Sequence, residues 1–422
     1  MRKHIERIKV KTHNFLRWTE KYTKTDMVYL AKSTFWINSN TVVVSIFSFL
    51  LYIAFSRFLP KENYGTYQFI LSIGSIIGAF TLTGMNTAIT QAVARGLEGS
   101  FKKSILIQLK YGTIPFLVSV GISTYYFLNN NWQIALGILI VGILTPLINT
   151  FNTFLAFLNG KKNFESYFYT YQILNFTYYP ILIVSLTITK NPVILIFVNL
   201  ISNFIANLIA YSIVIKKYQP NNLEDPETIS YGKHLSLANF ISTAILQLDN
   251  ILVFHYLGAT KLAIYAFATN IPDRVYGLIK SVQVIALPKL SSHSQGDDKV
   301  HLIKKSFIFF IASLTITIIY IVLAKPIYNL FFPQYNSSIL YSQIYMLMLS
   351  LISLYILPMT NVSATMEKEK NYIFSILSPS ISIVVMILMI NLFGIIGLIV
   401  ARGISNIFNI IISYYLMFKK SR

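Results

Sequence analysis

The side chains of this chain that could do chemistry are few, and they lie in unusual surroundings. In NIPDRVYGLIK, residues 270–280, Asp273, Arg274 and Lys280 sit within LAIYAFATNIPDRVYGLIKSVQVIALPKL, an otherwise apolar run long enough to cross a bilayer. Asp249 lies in LQLDNILVF and Arg402 in IVARGISNIF, both equally greasy. An ionised group centred in hydrocarbon costs about 2.5–3.5 kcal/mol on insertion scales, so such groups face a bundle interior or water and mark paths for ions or charged substrates. Guanidinium and ammonium groups there suit an anion, phosphate above all. Carboxylates there serve as counter-charges or as sites for a proton.

Other chemistry finds no residues to carry it. There is no cysteine, hence no disulfide and no thiolate. The six histidines are scattered through tails, loops and apolar-segment ends, none paired at metal-ligand spacing. Neither G-x-x-x-x-G-K-[ST] nor G-x-S-x-G occurs. The chain therefore reads as a non-enzyme without cofactor or metal, driven by an ion gradient or by the gradient of its substrate.

The elements that must position these residues are membrane helices. Of 422 residues, 55% are hydrophobic and 12% charged, and the mean hydropathy is +0.59, values that describe an all-α polytopic membrane protein. Apolar windows fall near 29–56, 65–90, 105–128, 133–157, 168–189, 193–215, 235–257, 262–287, 306–324, 339–360, 371–390 and 394–417, twelve in all. The connections between them are short and polar. With the amino terminus inside, inside segments hold 26 of the 35 lysines and arginines, outside segments 5, and the spans the remaining 4: Lys110, Arg274, Lys280 and Arg402. The net charge of +20 is thus a topology signal, with both termini cytoplasmic and cationic loops facing anionic lipid, and it excludes a nucleic-acid partner. Residues 1–28 form a basic arm in which Ile8, Phe15, Trp18 and Tyr22 recur near heptad spacing. It is either an amphipathic helix on the membrane surface or a solvated arm.

An internal repeat organises the rest. A shift of 203 places VNLISNFIANLIAYSIVIKK, residues 198–217, on ARGISNIFNIIISYYLMFKK, residues 401–420, with Ile201, Ser202, Asn203, Ile209, Tyr211, Lys216 and Lys217 identical to their partners. A shift of 198 matches Leu59 with Leu257 and Tyr67 with Tyr265. The expected plan is a six-helix bundle over 29–217, a cytoplasmic linker over 218–234 and a second bundle over 235–422, parallel copies about an axis along the membrane normal.

Spacing then groups the polar residues. Asp273, Gly277 and Lys280 share a helical face, with Arg274 one residue round from it. Arg402, Ser405, Asn406, Asn409 and Ser413 make a stripe; its copy keeps Ser202 and Asn203 but has Asn199 in place of Arg402. Asn239, Ser242 and Asp249 share another face, and Leu51 occupies the first-repeat place of Asp249. Arg274 is read as a substrate contact or as the partner of Asp249 or Asp273, and Lys280 as a substrate contact or a snorkelling lysine. Arg402 is read as an interhelical hydrogen-bond donor or a ligand contact, and Asp249 as a salt-bridge partner or a protonation site.

RFLPKENYGTYQFILSIGSIIGAFTLTGMNTAITQAVARG, ARGLEGS, and LSLANFISTAILQLDNILVFHYLGATKLAIYAFATNIPDRVYGLIKSVQVIALPKLS resemble the polysaccharide-biosynthesis flippases, lipid-linked oligosaccharide exporters of the superfamily that also holds multidrug extruders. The resemblance implies an alternating-access carrier in the inner (plasma) membrane. Its cargo would be an undecaprenyl-diphosphate-linked glycan of the O-antigen or capsule type, passed through a cationic cavity, with membrane lipids, H+ or Na+, and glycan polymerase or assembly proteins as partners. It places Arg274 where related flippases carry a cavity arginine. The first span has no buried cation or acid, unlike several relatives. Two rivals are a cation-coupled multidrug extruder and a membrane-embedded glycan polymerase or ligase. The extruder would need more intramembrane acid than Asp249 and Asp273. The polymerase would need a reactive outer loop, and the longest outer segment, KPIYNLFFPQYNSS, has one lysine and neither acid nor histidine.

Overall fold

The computed structural model describes residues 17–18, 26–291, 299–364 and 368–419; the basic arm lies almost wholly outside them. Among the described residues every regular element is helical. Helix α1 is Met27–Phe58, α2 Lys61–Ala79, α3 Met85–Ala94, α4 Gly99–Tyr111, α5 Thr113–Leu128, α6 Trp132–Asn152, α7 Phe154–Gly160 and α8 Phe164–Ile188. There follow α9 Pro192–Tyr218, α10 Glu227–Leu257, α11 Ala259–Ser291, α12 Lys299–Phe331, a 3-10 turn Pro333–Ser338, α13 Ile339–Ser350, α14 Ile352–Ala364 and α15 Lys368–Phe418. In hydrocarbon a helix satisfies its own backbone, which is why apolar sequence of this length folds this way.

Nine stretches among the described residues are long and apolar enough to cross a bilayer, against twelve windows in the sequence. Two of the twelve fall outside the nine for physical reasons. One, over α2 and α3, is interrupted by a turn at residues 80–84, and the other, α11, carries Lys261, Asp273, Arg274 and Lys280. The third difference is Glu369–Phe418, counted once although its 50 residues make about 75 Å of helix, over twice a hydrocarbon core of about 30 Å. It is broken at Gly394, whose φ of 59° and ψ of −135° are open to glycine and strained for other residues. A Cβ on Gly397 would strike the carbonyl of Met389, so the chain doubles back tightly here.

The chain divides into two compact units. Unit 1 comprises Met1–Tyr52, Ile77–Thr189 and Val193–Ile241. Its core gathers Met85, Ile89, Phe101, Phe154, Phe157 and Leu158, all buried. Polar chain ends are laced across its loops. Asn221 and Glu98 exchange hydrogen bonds, backbone amide to side-chain oxygen in both directions, at 3.2 Å. The Gly99 amide donates to the Leu223 carbonyl at 2.8 Å. Lys103 meets Glu224 at 2.5 Å and Lys161 meets Glu98 at 2.5 Å, while Arg95 pairs with Asp225. Asp225 also caps α10, accepting from the Glu227 amide at 3.1 Å and the Thr228 hydroxyl at 3.2 Å, with Pro226 in the first turn.

Unit 2 comprises Ile53–Ile76, Lys190–Pro192 and Ser242–Arg422. An aromatic knot of Phe55, Tyr64, Tyr67, Phe267, Phe332 and Tyr335 joins α1, α2, α11 and the 3-10 turn; Phe267 and Tyr335 stack at 3.6 Å. Thus KPIYNLFFPQYNSS is no open loop: Tyr328, Phe332, Tyr335 and Ser338 are buried. Tyr328 and Ser338 donate to the α11 carbonyls of Phe267 at 2.6 Å and Ile264 at 2.9 Å, fixing that helix.

The Y-G-x-Y stretch gains its meaning here. Tyr64 and Tyr67 enter the knot, and a Cβ at Gly65 would collide with the backbone of Ala259 at the start of α11. Overpacking of this kind costs about 1–3 kcal/mol. Gly65→Ala should therefore lower the thermal midpoint of the purified protein by several degrees. Gly121→Ala on α5, where a Cβ meets nothing within 4 Å, should leave the midpoint unchanged or raise it, since alanine is the better helix former.

A second prediction concerns the Asp225 cap. The Glu227 amide, first, and the Arg95 guanidinium hold the Asp225 carboxyl below the usual aspartate range, against the opposing effect of burial. A depressed folded pKa gives stability that is complete above the unfolded value of about 3.9 and lost as pH falls through the folded value. Proteolysis within 219–226 should be pH-independent from 8 to 5 and accelerate only below the ordinary aspartate range. Asp225→Asn should bring the faster cleavage to neutral pH.

Candidate functional site

Asp249, Asp273 and Arg402, with two tyrosines, converge in unit 2 on four helices; Lys110 lies apart, on α4 in unit 1. Asp249 stands on α10, Tyr265 and Asp273 on α11, Tyr345 on α13 and Arg402 on the second part of α15. A hairpin at Gly258 (φ 84°) sets the depth of the first two. Asp249 is nine residues before that turn and Tyr265 seven after it, so antiparallel helices bring them level. Gly394 does the same service for Arg402, eight residues beyond it.

Arg402 closes on Asp249. Its Nε and Nη2 donate to the same oxygen, Oδ2, at 2.9 and 2.5 Å, and the Tyr265 hydroxyl donates to that oxygen at 2.6 Å. Among the described residues Oδ1 is buried without a hydrogen-bond partner. Asp249 is 4% exposed, whereas the Arg402 side chain is 29% exposed. The carboxylate is thus sealed, while the arginine side chain is partly open. Asp273 is exposed and accepts from the Tyr345 hydroxyl at 2.9 Å. It lies within electrostatic range of both Arg402 and Asp249, so the five groups form one cluster.

Arg274 is exposed, and its Nε donates to Asn270 Oδ1 at 3.0 Å, one turn earlier. It is fifteen residues into a 33-residue helix, about 22 Å along the axis. The α11 backbone continues without interruption through Pro272 and Lys280; the Lys280 side chain lies outside the described residues.

The remaining sequence candidates separate by place. Ser405, Asn406, Asn409 and Ser413 are buried in the packing of unit 2. Asn406 Nδ2 donates to the Met348 carbonyl at 2.9 Å and Ser405 to that of Ala401 at 2.8 Å, and Asn409 Oδ1 is buried without a hydrogen-bond partner among the described residues. Ser242 is exposed. In unit 1, Asn239 is exposed and donates to Thr83 Oγ1 at 3.3 Å. Asn199 and Ser202 are buried, the latter donating to the Asn199 carbonyl at 3.0 Å. Asn203 Oδ1 accepts from Asn207 at 2.6 Å, whose own Oδ1 accepts from Asn152 at 2.8 Å. Unit 1 so carries a neutral amide chain and unit 2 an ion pair.

Sequence reasoning missed the tyrosines and Asn270. Tyr265 was within reach, because its distance from the Gly258 turn mirrors that of Asp249. Asn270 sits four residues before Arg274, ordinary helical contact spacing. Tyr345 carries no signal, since its approach to Asp273 depends on how α13 packs on α11.

A family model described as polysaccharide biosynthesis protein matches residues 30–294. No curated protein matches the chain by sequence. Among solved structures, an inward-facing MATE-family multidrug resistance transporter of the MOP superfamily superposes with a TM-score of 0.69 at 14% identity, covering 90% of this chain and 96% of its own. The lipid II flippase MurJ, inward closed, gives 0.64 at 15% identity, covering 90% and 86%. A Vibrio cholerae MATE transporter gives 0.56 at 16% identity, covering 92% and 95%. These likenesses establish a shared transporter fold. With the family match spanning most of its length, this all-helical, multi-pass membrane chain belongs to the polysaccharide biosynthesis protein family.

Proposed function

We propose that the protein is a flippase that carries an undecaprenyl-diphosphate-linked oligosaccharide, an O-antigen or capsule-type repeat unit, across the plasma membrane by alternating access. The observation that carries this reading is the pair of arginines among the apolar helices of unit 2, Arg274 exposed and Arg402 with a side chain partly exposed. A diphosphate brings about two negative charges, arginine binds phosphate bidentately, and low dielectric strengthens the attraction. In this reading Arg274, Arg402 and Lys280 hold the headgroup. Within unit 2 the exposed Ser242 suits a sugar hydroxyl, and the prenyl tail stays in lipid.

The rest of the plan goes with it. The twelve spans are two parallel copies, residues 29–217 and 235–422 joined by 218–234, with both termini cytoplasmic. Asp249 and Asp273 are the candidates for coupling to H+ or Na+, and a glycan polymerase would take the delivered product. The protein is a carrier rather than an enzyme. A cation extruder is disfavoured by the same cluster: Asp249 already holds an internal cation, leaving Asp273 as the one acid of the pair open to a cationic drug.

Charge-assisted hydrogen bonds are worth about 1.5–3 kcal/mol, so Arg274→Ala should cut glycan export by about ten- to a hundredfold while the protein remains inserted. Arg274→Lys should recover part of it, since an ammonium keeps the charge and loses the fork. The assay is surface glycan labelling beside leaflet-resolved quantification of lipid-linked oligosaccharide, which should accumulate facing the cytoplasm. Normal export by Arg274→Ala would remove this residue from the site. Equal leaflet distribution in a deletion strain would overturn the flippase reading.

A further inference from the structure

Resting on that reading, we propose that Asp249 is a tethered stand-in for phosphate, so that the diphosphate headgroup loads by anion exchange at Arg402: the carboxylate holds the guanidinium while the site is empty and yields it to cargo.

The first support is the shape of the pair. Arginine and carboxylate bind best as a fork, two parallel N–H groups to two oxygens. Here Nε and Nη2 both crowd Oδ2, with the Tyr265 hydroxyl as a third donor, and among the described residues Oδ1 is left buried and unpartnered. An unmet buried acceptor is costly, so the contact is incomplete by the standards of a pair that exists only to lock helices together. Both oxygens of a phosphate could take the fork that Asp249 does not fill.

The second support is the asymmetry of access. The Arg402 side chain is 29% exposed and that of Asp249 6%. An anion from outside can reach the cation without first dislodging the acid from its pocket. The acid, once released, keeps the Tyr265 hydroxyl. The third support is the repeat: Leu51 and Asn199 occupy the equivalent positions of the first half, and both are buried. A bundle of this plan closes without the pair, in line with the finding that buried ion pairs can be replaced by apolar groups at little loss of stability. The charge is therefore kept for something besides closure.

The groups that face the exchange are all named by the structure. Asp273 and Tyr265 come from α11, Tyr345 from α13, Tyr355 from α14, and Asp249 from α10. Arg402 is the cation common to them. Moving it onto a diphosphate strips Asp249 of its counter-charge, and that cost is what wild type must overcome and a neutral residue at 249 need not.

The test is a titration of the purified full chain in nanodiscs with farnesyl diphosphate and, separately, with inorganic pyrophosphate. Asp249→Asn should bind farnesyl diphosphate about tenfold tighter than wild type, equivalent to about 1.4 kcal/mol. Tyr265→Phe should bind a few-fold more weakly, because the released carboxylate loses its remaining donor. The double variant Asp249→Asn with Arg402→Gln should lose the gain. A gain seen with both probes supports exchange by the phosphates alone, and a gain confined to farnesyl diphosphate supports exchange that needs the lipid. Unchanged or weaker binding by folded Asp249→Asn overturns the exchange while leaving the cargo reading intact. Should Asp249→Asn fail to fold, Tyr265→Phe decides: weaker binding supports the exchange, equal or tighter binding overturns it. Absence of binding of either probe by wild type and every variant overturns the cargo reading, and the exchange with it.

Discussion

The cost of holding ionised groups away from water governs this molecule. Two carboxylates and two guanidiniums among apolar helices would destabilise the fold if each stood alone. The second unit contains them by pairing and hydrogen bonding. Asp249 receives three donors and Asp273 a tyrosine hydroxyl, while Arg274 donates to the side-chain oxygen of Asn270. Such satisfaction needs groups from four different helices, so the cluster exists only when unit 2 is assembled. The helix ends, the hairpin glycines and the aromatic knot all act to deliver those groups to one depth.

Two glycines with positive φ carry much of that burden. Gly258 turns α10 into α11, and Gly394 divides a 51-residue helix. Each sits seven to nine residues from a member of the cluster. Between them, the bonds from Tyr328 and Ser338 to α11 carbonyls hold the helix that bears Tyr265, Asp273 and Arg274. Precision comes from rigid elements, as ligand sites generally require.

Unit 1 solves a different problem with neutral groups. Its asparagine chain, Asn152 to Asn207 to Asn203, meets its own hydrogen-bonding needs without charge, and its ion pairs are gathered in loops at Glu98, Arg95, Lys103 and Lys161. Surface pairs of that kind contribute little singly. Here they act with backbone hydrogen bonds to fasten residues 221–225 along the chain at 96–100. Unit 1 is thus chemically quiet in its interior and unit 2 charged.

Sequence alone determined the class. Apolar runs of membrane length leave the helix as the structure that satisfies the backbone, and the rarity of acids and bases within those runs singles out Asp249, Asp273, Arg274 and Arg402. The family resemblance rests on the same stretches that the family model matches. Which charge meets which is a different kind of fact. Arg402 and Asp249 are 153 residues apart, and nothing local distinguishes Arg402 from Arg274 as the partner; only the packing of α15 against α10 decides it. Burial likewise escaped a one-dimensional reading. The stripe from Ser405 to Ser413 shares one face by periodicity, and in the structure its members are buried, with Ser405, Asn406 and Ser413 bonded to backbone carbonyls. Periodicity reports that residues share a face; what that face meets is set by neighbours far away along the chain.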